Sequence, residues 1–277
     1  MKNIFLNANN KIRSIWWIPI FFLLLVLFLF PTILIAQQKS VEVSMPVQAA
    51  LIILVTIICQ LLRKESITAI TGKFNVSLAR QFFTGLLIGA ALMVFPAIIL
   101  TVSGFAHWQV NDISFSTIIT GFTFFVCVAI AEEFLFRGFL FQRLIESLGQ
   151  WPAQLIIAGI FLLTHVNNPG MIGTIKVLAS LNIFIASIMF GIAFIKTKSL
   201  AMPLGLHFMA NFMQGTILGF GVSGNKEQSL FKAVFEQCPD WLNGGAFGLE
   251  ASVPGLISVI ITTILLYRWK PSGNILN

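Results

Sequence analysis

The stretch AEEFLFRGFL, Ala131 to Leu140, sets three ionisable side chains in an otherwise apolar run. On a helix, Glu133 and Arg137 share a face four residues apart, with the acid N-terminal to the base, the favourable order for an ion pair. Glu132 is rotated about 100° from Glu133 and further still from Arg137. One carboxylate therefore has a built-in partner, and the other is free to face something else. An ion pair that locks two helices together accounts for Glu133 and Arg137 but leaves Glu132 unexplained. Ionisable groups within apolar spans are costly and mark functional sites by default.

Two further polar clusters occur downstream. FLLTHVNN, Phe161 to Asn168, places His165 four residues after Phe161. GLHFMAN, Gly205 to Asn211, places His207 and Asn211 on one helical face. Taken singly, each could be a side chain that hydrogen-bonds a neighbouring helix. The remaining histidine, His107, falls beside Trp108 in an expected outer loop and is assigned no role.

The surrounding sequence must hold these groups in a membrane. Of 277 residues, 57% are hydrophobic and 10% are charged. A soluble domain carries about a quarter charged residues. The expected fold is all-α, a polytopic transmembrane bundle forming one membrane domain over residues 1–277. A crossing helix needs roughly 20 mostly apolar residues. Segments that qualify are Ser14–Ala36, Met45–Leu62, Gln81–Ser103, Phe115–Leu148, Pro152–Asn167, Lys176–Ile195, Leu200–Phe220 and Pro254–Arg268, about eight spans. The first resembles a signal peptide in its preceding basic residues, but its apolar core is long, so it reads as an anchor. Phe115–Leu148 is too long for one straight span, reaching about 50 Å as a helix, and must tilt, bend or project. Gly85 and Gly89 form a GxxxG that favours close helix contact.

Lys and Arg set the orientation. With the N-terminus inside, the inner segments hold Lys2, Lys11, Arg13, Arg63, Lys64, Lys73, Arg80, Arg143, Lys196, Lys198, Arg268 and Lys270. The outer segments hold Lys39, Lys176, Lys226 and Lys232. Both termini are therefore expected in the cytoplasm. The net charge of +7 follows from this bias; no basic patch with interleaved aromatics occurs, which excludes a nucleic-acid partner. Cys59, Cys127 and Cys238 form no CxxC pair and give neither a disulfide framework nor a thiolate metal site. Counting along ideal helices puts Glu132 about 22 Å, His165 about 20 Å, His207 about 10 Å and Asn211 about 16 Å from their cytoplasmic helix ends. A shared polar chamber on the cytoplasmic side or near the middle is then allowed.

In this order, EEFLFRG fits EExxxR, FLLTH fits FxxxH and HFMAN fits HxxxN. The set resembles the CPBP family of intramembrane endopeptidases, which includes the type II CAAX prenyl endopeptidases, also called Rce1-like or Abi proteins. GGAFGLEAS, Gly244 to Ser252, also looks like many bacterial members. The resemblance implies a catalytic core at about 115–221. It implies a membrane-associated or lipidated peptide or protein as substrate, the lipid bilayer as surroundings, and a bacterial cytoplasmic membrane as location.

Peptide hydrolysis needs an activated water, oxyanion stabilisation and protonation of the leaving amine. Glu132 suits the general base, and His165 could hold the same water. His207 and Asn211 could donate to the oxyanion, while Glu133 and Arg137 support the helix. The resemblance implies the same division of labour. Glu132, His165 and His207 could instead hold a single zinc with water in the open position. There is no HExxH, and the same residues already fill the catalytic roles, which favours a metal-free reaction. A proton-coupled transporter would also use buried Glu and His, but no inverted repeat is visible. A catalytically silent scaffold or bacteriocin-immunity protein is the other alternative.

Overall fold

Apolar runs closed by polar caps define the helices of the computed structural model, which describes residues 4–271. Lys2 and the C-terminal end at Asn277, both used in the orientation argument, lie outside the described residues. In chain order the helices are Trp17–Gln38 (α1), Met45–Arg63 (α2), Thr68–Thr71 (α3), Val76–Val102 (α4), Phe115–Glu133 (α5), Leu140–Leu148 (α6), Gln150–Leu163 (α7), Gly173–Thr197 (α8), Ala201–Phe212 (α9), Asp240–Asn243 (α10) and Val253–Arg268 (α11). Side-chain oxygens accept from free N-terminal N–H groups at three starts. Asn75 caps Leu78 at 3.0 Å, Ser114 caps Thr117 at 3.2 Å and Ser252 caps Gly255 at 3.0 Å. Each such cap is worth about 1 kcal/mol. The Asn75 cap starts α4 at Val76, ahead of the expected Gln81, because a capped polar turn extends the apolar run.

Among the described residues, five helical runs are long and apolar enough to cross a membrane: Ser14–Gln38, Met45–Arg63, Val76–Val102, Phe115–Leu148 and Gly173–Thr197. Helices α7 and α11 are shorter apolar helices. Helix α9 is prolonged by a π-helical turn, Met213–Ile217. Every apolar segment expected to span is thus helical. The fold also contains an element that the sequence reading lacked. Ala106–Val110 (β1) and Phe231–Phe235 (β2) pair antiparallel, with His107 opposite Val234. His107 lies 3.3 Å from Glu236 at the surface.

The long fourth segment bends. A π-helical turn, Phe134–Phe139, separates α5 from α6, and the helical path breaks at Gly138, where ψ is −117°. Sharp helix bends commonly arise at such turns, which recur at functional sites. The bend lies directly after Glu132 and Glu133 and contains Arg137.

Glycines bring α4 and α9 into backbone contact. A Cβ on Gly85 would collide with the Met202 carbonyl oxygen, and one on Gly89 with that of Leu206. In return, a Cβ on Gly205 would collide with the Phe82 carbonyl. The GxxxG therefore works as expected, and it fixes the helix that carries His207 and Asn211.

The bundle has two distinct ends. At one, Arg63 reaches Glu146 at 3.5 Å, Gln142 donates to the Ala69 carbonyl at 3.1 Å, and Lys196 donates to the Trp269 carbonyl at 2.9 Å. The opposite end carries β1 and β2, the α7–α8 turn and the segment 218–252. There the Gly224 N–H donates to the Phe247 carbonyl at 3.1 Å.

Candidate active site

Arg137 is fully buried, which demands partners for a charge that cannot be shed. Its Nη1 donates to Glu133 Oε1 at 3.3 Å, the expected ion pair. Its Nη2 donates to Ser187 Oγ at 2.8 Å and to the Ser187 carbonyl at 3.3 Å. The guanidinium carbon also stands 4.6 Å from the Phe161 ring centre and 5.0 Å from that of Phe190. Cation–π contacts gain strength when desolvated, as here. Ser187 and Phe190 belong to α8, a helix without an ionisable group at this depth, so their part was invisible in the sequence.

Glu133 is equally buried, and it does more than pair with Arg137. His207 Nδ1 lies 2.8 Å from the same Oε1. The ionised carboxylate can only accept, so Nδ1 carries the proton and Nε2 points away. Phe190 stacks on the imidazole at 4.9 Å and 17°. Phe190 thus contacts both Arg137 and His207. On its other side, His207 Nε2 stands 3.8 Å from Oε2 of Glu132, beyond direct hydrogen-bond distance. Glu132 retains 27% exposure of its side chain, against 0% for Glu133. The two adjacent carboxylates therefore differ as the helical rotation required.

The expected span Pro152–Asn167 ends earlier than its apolar pattern indicated. Helix α7 stops at Leu163, and His165 sits on the turn beyond it. The run Asn167-Asn168-Pro169-Gly170 cannot continue a helix. The turn explains the Phe-to-His spacing. His165 Nδ1 meets the Phe161 carbonyl of the last turn at 2.7 Å, an oxygen that also accepts from the Thr164 hydroxyl at 2.8 Å. Nε2 is left facing outward from that contact. The ring packs on Phe161 at 4.6 Å, and Phe161 meets Phe136 edge-on at 5.0 Å. Phe161 thereby joins His165 to the Arg137 layer.

Glu132, His165, His207 and Asn211 all line one cavity of about 390 Å³. Its deep wall is apolar, with Phe124, Phe125, Leu135, Phe136 and Phe190. Thr164, Asn168, Asn182, Ser223, Asn225, Glu227 and Glu250 add polar groups to the lining. Glu250 was missed as a site residue, although its segment GGAFGLEAS stood out. Burial pushes its carboxyl above the ordinary carboxylate range, against the opposing hydrogen bond from the Ser223 N–H and the nearby His165. Gln214 Nε2 also donates to it, at 3.4 Å. An acid between an apolar run and a capped helix start was the available signal.

Among the described residues, no three His, Cys, Asp or Glu side chains converge as a metal ligand set. His165 uses Nδ1 on Phe161, His207 uses Nδ1 on Glu133, and Glu132 remains 3.8 Å from His207.

Fold and site together define a polytopic α-helical integral membrane protein with a polar cavity among its helices. Residues 114–213 match the family described as "Rce1-like: Type II CAAX prenyl endopeptidase Rce1-like", so this segment, with Glu132, His165, His207 and Asn211, is an Rce1-like domain. The matched family is one of CAAX-type intramembrane peptidases. A search of curated proteins finds no match.

Proposed function

We propose that the chain is a glutamate-dependent intramembrane endopeptidase with a catalytic core at about 115–221, acting on a membrane-associated peptide. The observation that carries this reading is the convergence of Glu132, His165, His207 and Asn211 on one cavity. Glu132 is the more exposed of the paired acids and takes the proton from water. His165, with Nδ1 held by Phe161, presents Nε2 to the same water. The resulting hydroxide attacks the carbonyl carbon of the scissile peptide.

The developing oxyanion collects donors from His207 Nε2, in the imidazolium form, and from the Asn211 amide. Preorganised donors are worth several kcal/mol in such sites, about 2.7–4 for one lost donor. The proton held by Glu132 passes to the leaving amine as the C–N bond breaks. Glu133 orients His207 by its Nδ1 and balances Arg137. No step passes through a metal. The apolar deep wall accommodates hydrophobic side chains of the substrate. A bacterial cytoplasmic membrane is the proposed location, on the resemblance of GGAFGLEAS to bacterial members.

The test is turnover of a quenched fluorescent peptide library by the purified full chain in detergent, beside Glu132→Gln. Cleavage that vanishes in the variant supports the reading. Cleavage that persists unchanged overturns the role of Glu132, and a folded protein that cleaves nothing favours a scaffold.

A further inference from the structure

The cavity and the basic residues lie at opposite ends of the bundle. Thr164, Asn225 and Glu227 of the cavity lining are exposed, and all three belong to the end that carries β1 and β2. None of the residues of the Arg63–Glu146 end lines the cavity. Between the site and that end stands a dense layer that includes Ile70, Phe136, Phe139, Phe141 and Leu200, all buried. A peptide backbone cannot cross such a layer without leaving its polar groups unpaired. The polar end of the cavity is the hydrated route to Glu132.

Among the described residues, Lys39, Lys176, Lys226 and Lys232 are the basic residues of the cavity end. Apart from buried Arg137, the rest belong to the far end. The basic end of a membrane protein faces the cytoplasm. On that orientation the cavity opens away from the cytoplasm. The reason is local: α7 ends at Leu163, and the site is roofed by the segment 218–252 rather than by a cytoplasmic loop.

We infer that the substrate is the translocated segment of a membrane-anchored or secreted polypeptide, reached from the face opposite the cytoplasm. This rests on the endopeptidase reading and names its substrate class. A cytoplasmic prenylated tail would meet the closed end.

Single-cysteine labelling tests access without requiring activity. In a full-length background with Cys59, Cys127 and Cys238 replaced by Ala, Asn168→Cys reports the cavity and Lys73→Cys reports the far end. Size-exclusion profiles in detergent confirm that each variant is folded. A membrane-impermeant maleimide should label Asn168→Cys in intact cells and lose that labelling in sealed inverted vesicles. Lys73→Cys should do the reverse. Labelling of Asn168→Cys only from inverted vesicles, or from neither side, overturns the inference.

A second arm adds an impermeant quenched peptide library to cells, to inverted vesicles and to detergent-purified protein. Turnover that needs Glu132 in detergent and in cells, with loss in inverted vesicles, supports the substrate class. Turnover in detergent and inverted vesicles but not in cells overturns it. Failure in all three removes the endopeptidase reading itself, while the labelling still decides which face the cavity meets.

Discussion

Glu133 Oε1 lies 2.8 Å from His207 Nδ1 and 3.3 Å from Arg137 Nη1, so one buried oxygen serves two helices. A supporting role through Arg137 alone is thus too narrow. Glu133 also decides which imidazole nitrogen faces the cavity, because a carboxylate can only accept.

The adjacent glutamates should respond differently to the same change. Glu132→Gln is nearly isosteric and cannot take a proton. It should keep the folded yield and lose a hundredfold or more in turnover, in the range typical of a general base. Glu133→Gln leaves Arg137 uncompensated and should cost about 3–5 kcal/mol of stability. Joint replacement of Glu133 by Gln and Arg137 by Leu should restore part of that stability. Turnover should stay low, because the imidazolium of His207 loses its second carboxylate. Thermal unfolding in detergent, measured beside cleavage of one defined peptide, checks the set. A stable, inactive Glu133→Gln with an active Glu132→Gln would reverse the assignment.

Ser187→Ala deletes the 2.8 Å hydrogen bond to Arg137 Nη2. A hydrogen bond to a charged group is worth about 1.5–3 kcal/mol, and the melting temperature should fall accordingly. Ser187→Thr keeps the hydroxyl and should recover most of the loss. Equal melting of the alanine variant and the native chain would refute a supporting role.

Helix contact through glycine is testable by adding one methyl group. Gly89→Ala drives a Cβ against the Leu206 carbonyl, next to His207. Overpacking of this kind costs about 1–3 kcal/mol and should lower turnover with it. Gly159→Ala is the control, since a Cβ there meets nothing within 4 Å. Removing that helical glycine should stabilise by about 0.5–1 kcal/mol.

Glu250 gives stability a dependence on pH. Its carboxyl titrates above the ordinary range, chiefly through burial. The folded state then binds this proton more tightly than the unfolded state does. Its contribution is full below the unfolded carboxyl's pKa and is lost as pH rises through the raised folded value. Glu250→Gln mimics the protonated form and should flatten that decline. Melting temperatures of both proteins across a pH series provide the check, and parallel curves would refute the claim.

Metal removal separates the two hydrolytic routes. The separate tethering of His165 and His207 predicts that activity survives chelation and that purified protein carries far less than one zinc per chain. Elemental analysis and a chelator titration measure both. Reversible loss on chelation, with recovery on adding zinc, would require Glu132, His165 and His207 to converge in a state unlike this one.

Much of this protein was legible in its residues. Apolar length alone located the long helical segments, because backbone hydrogen bonds must be satisfied internally within a bilayer. Helical rotation separated Glu132 from Glu133, and Gly85 with Gly89 announced a close contact, because both depend only on local periodicity. Tertiary structure decided what depends on partners distant in sequence. It brought Ser187 and Phe190 to Arg137, gave His207 Nδ1 to Glu133, and placed Glu250 in the cavity. It also paired β1 with β2, whose strands are separated by most of the bundle and show too short a pattern to be read alone. The end of α7 at Leu163 lay between these cases. Its Asn-Asn-Pro-Gly run was visible, but only packing of the segment 218–252 beyond that turn decided where the cavity opens.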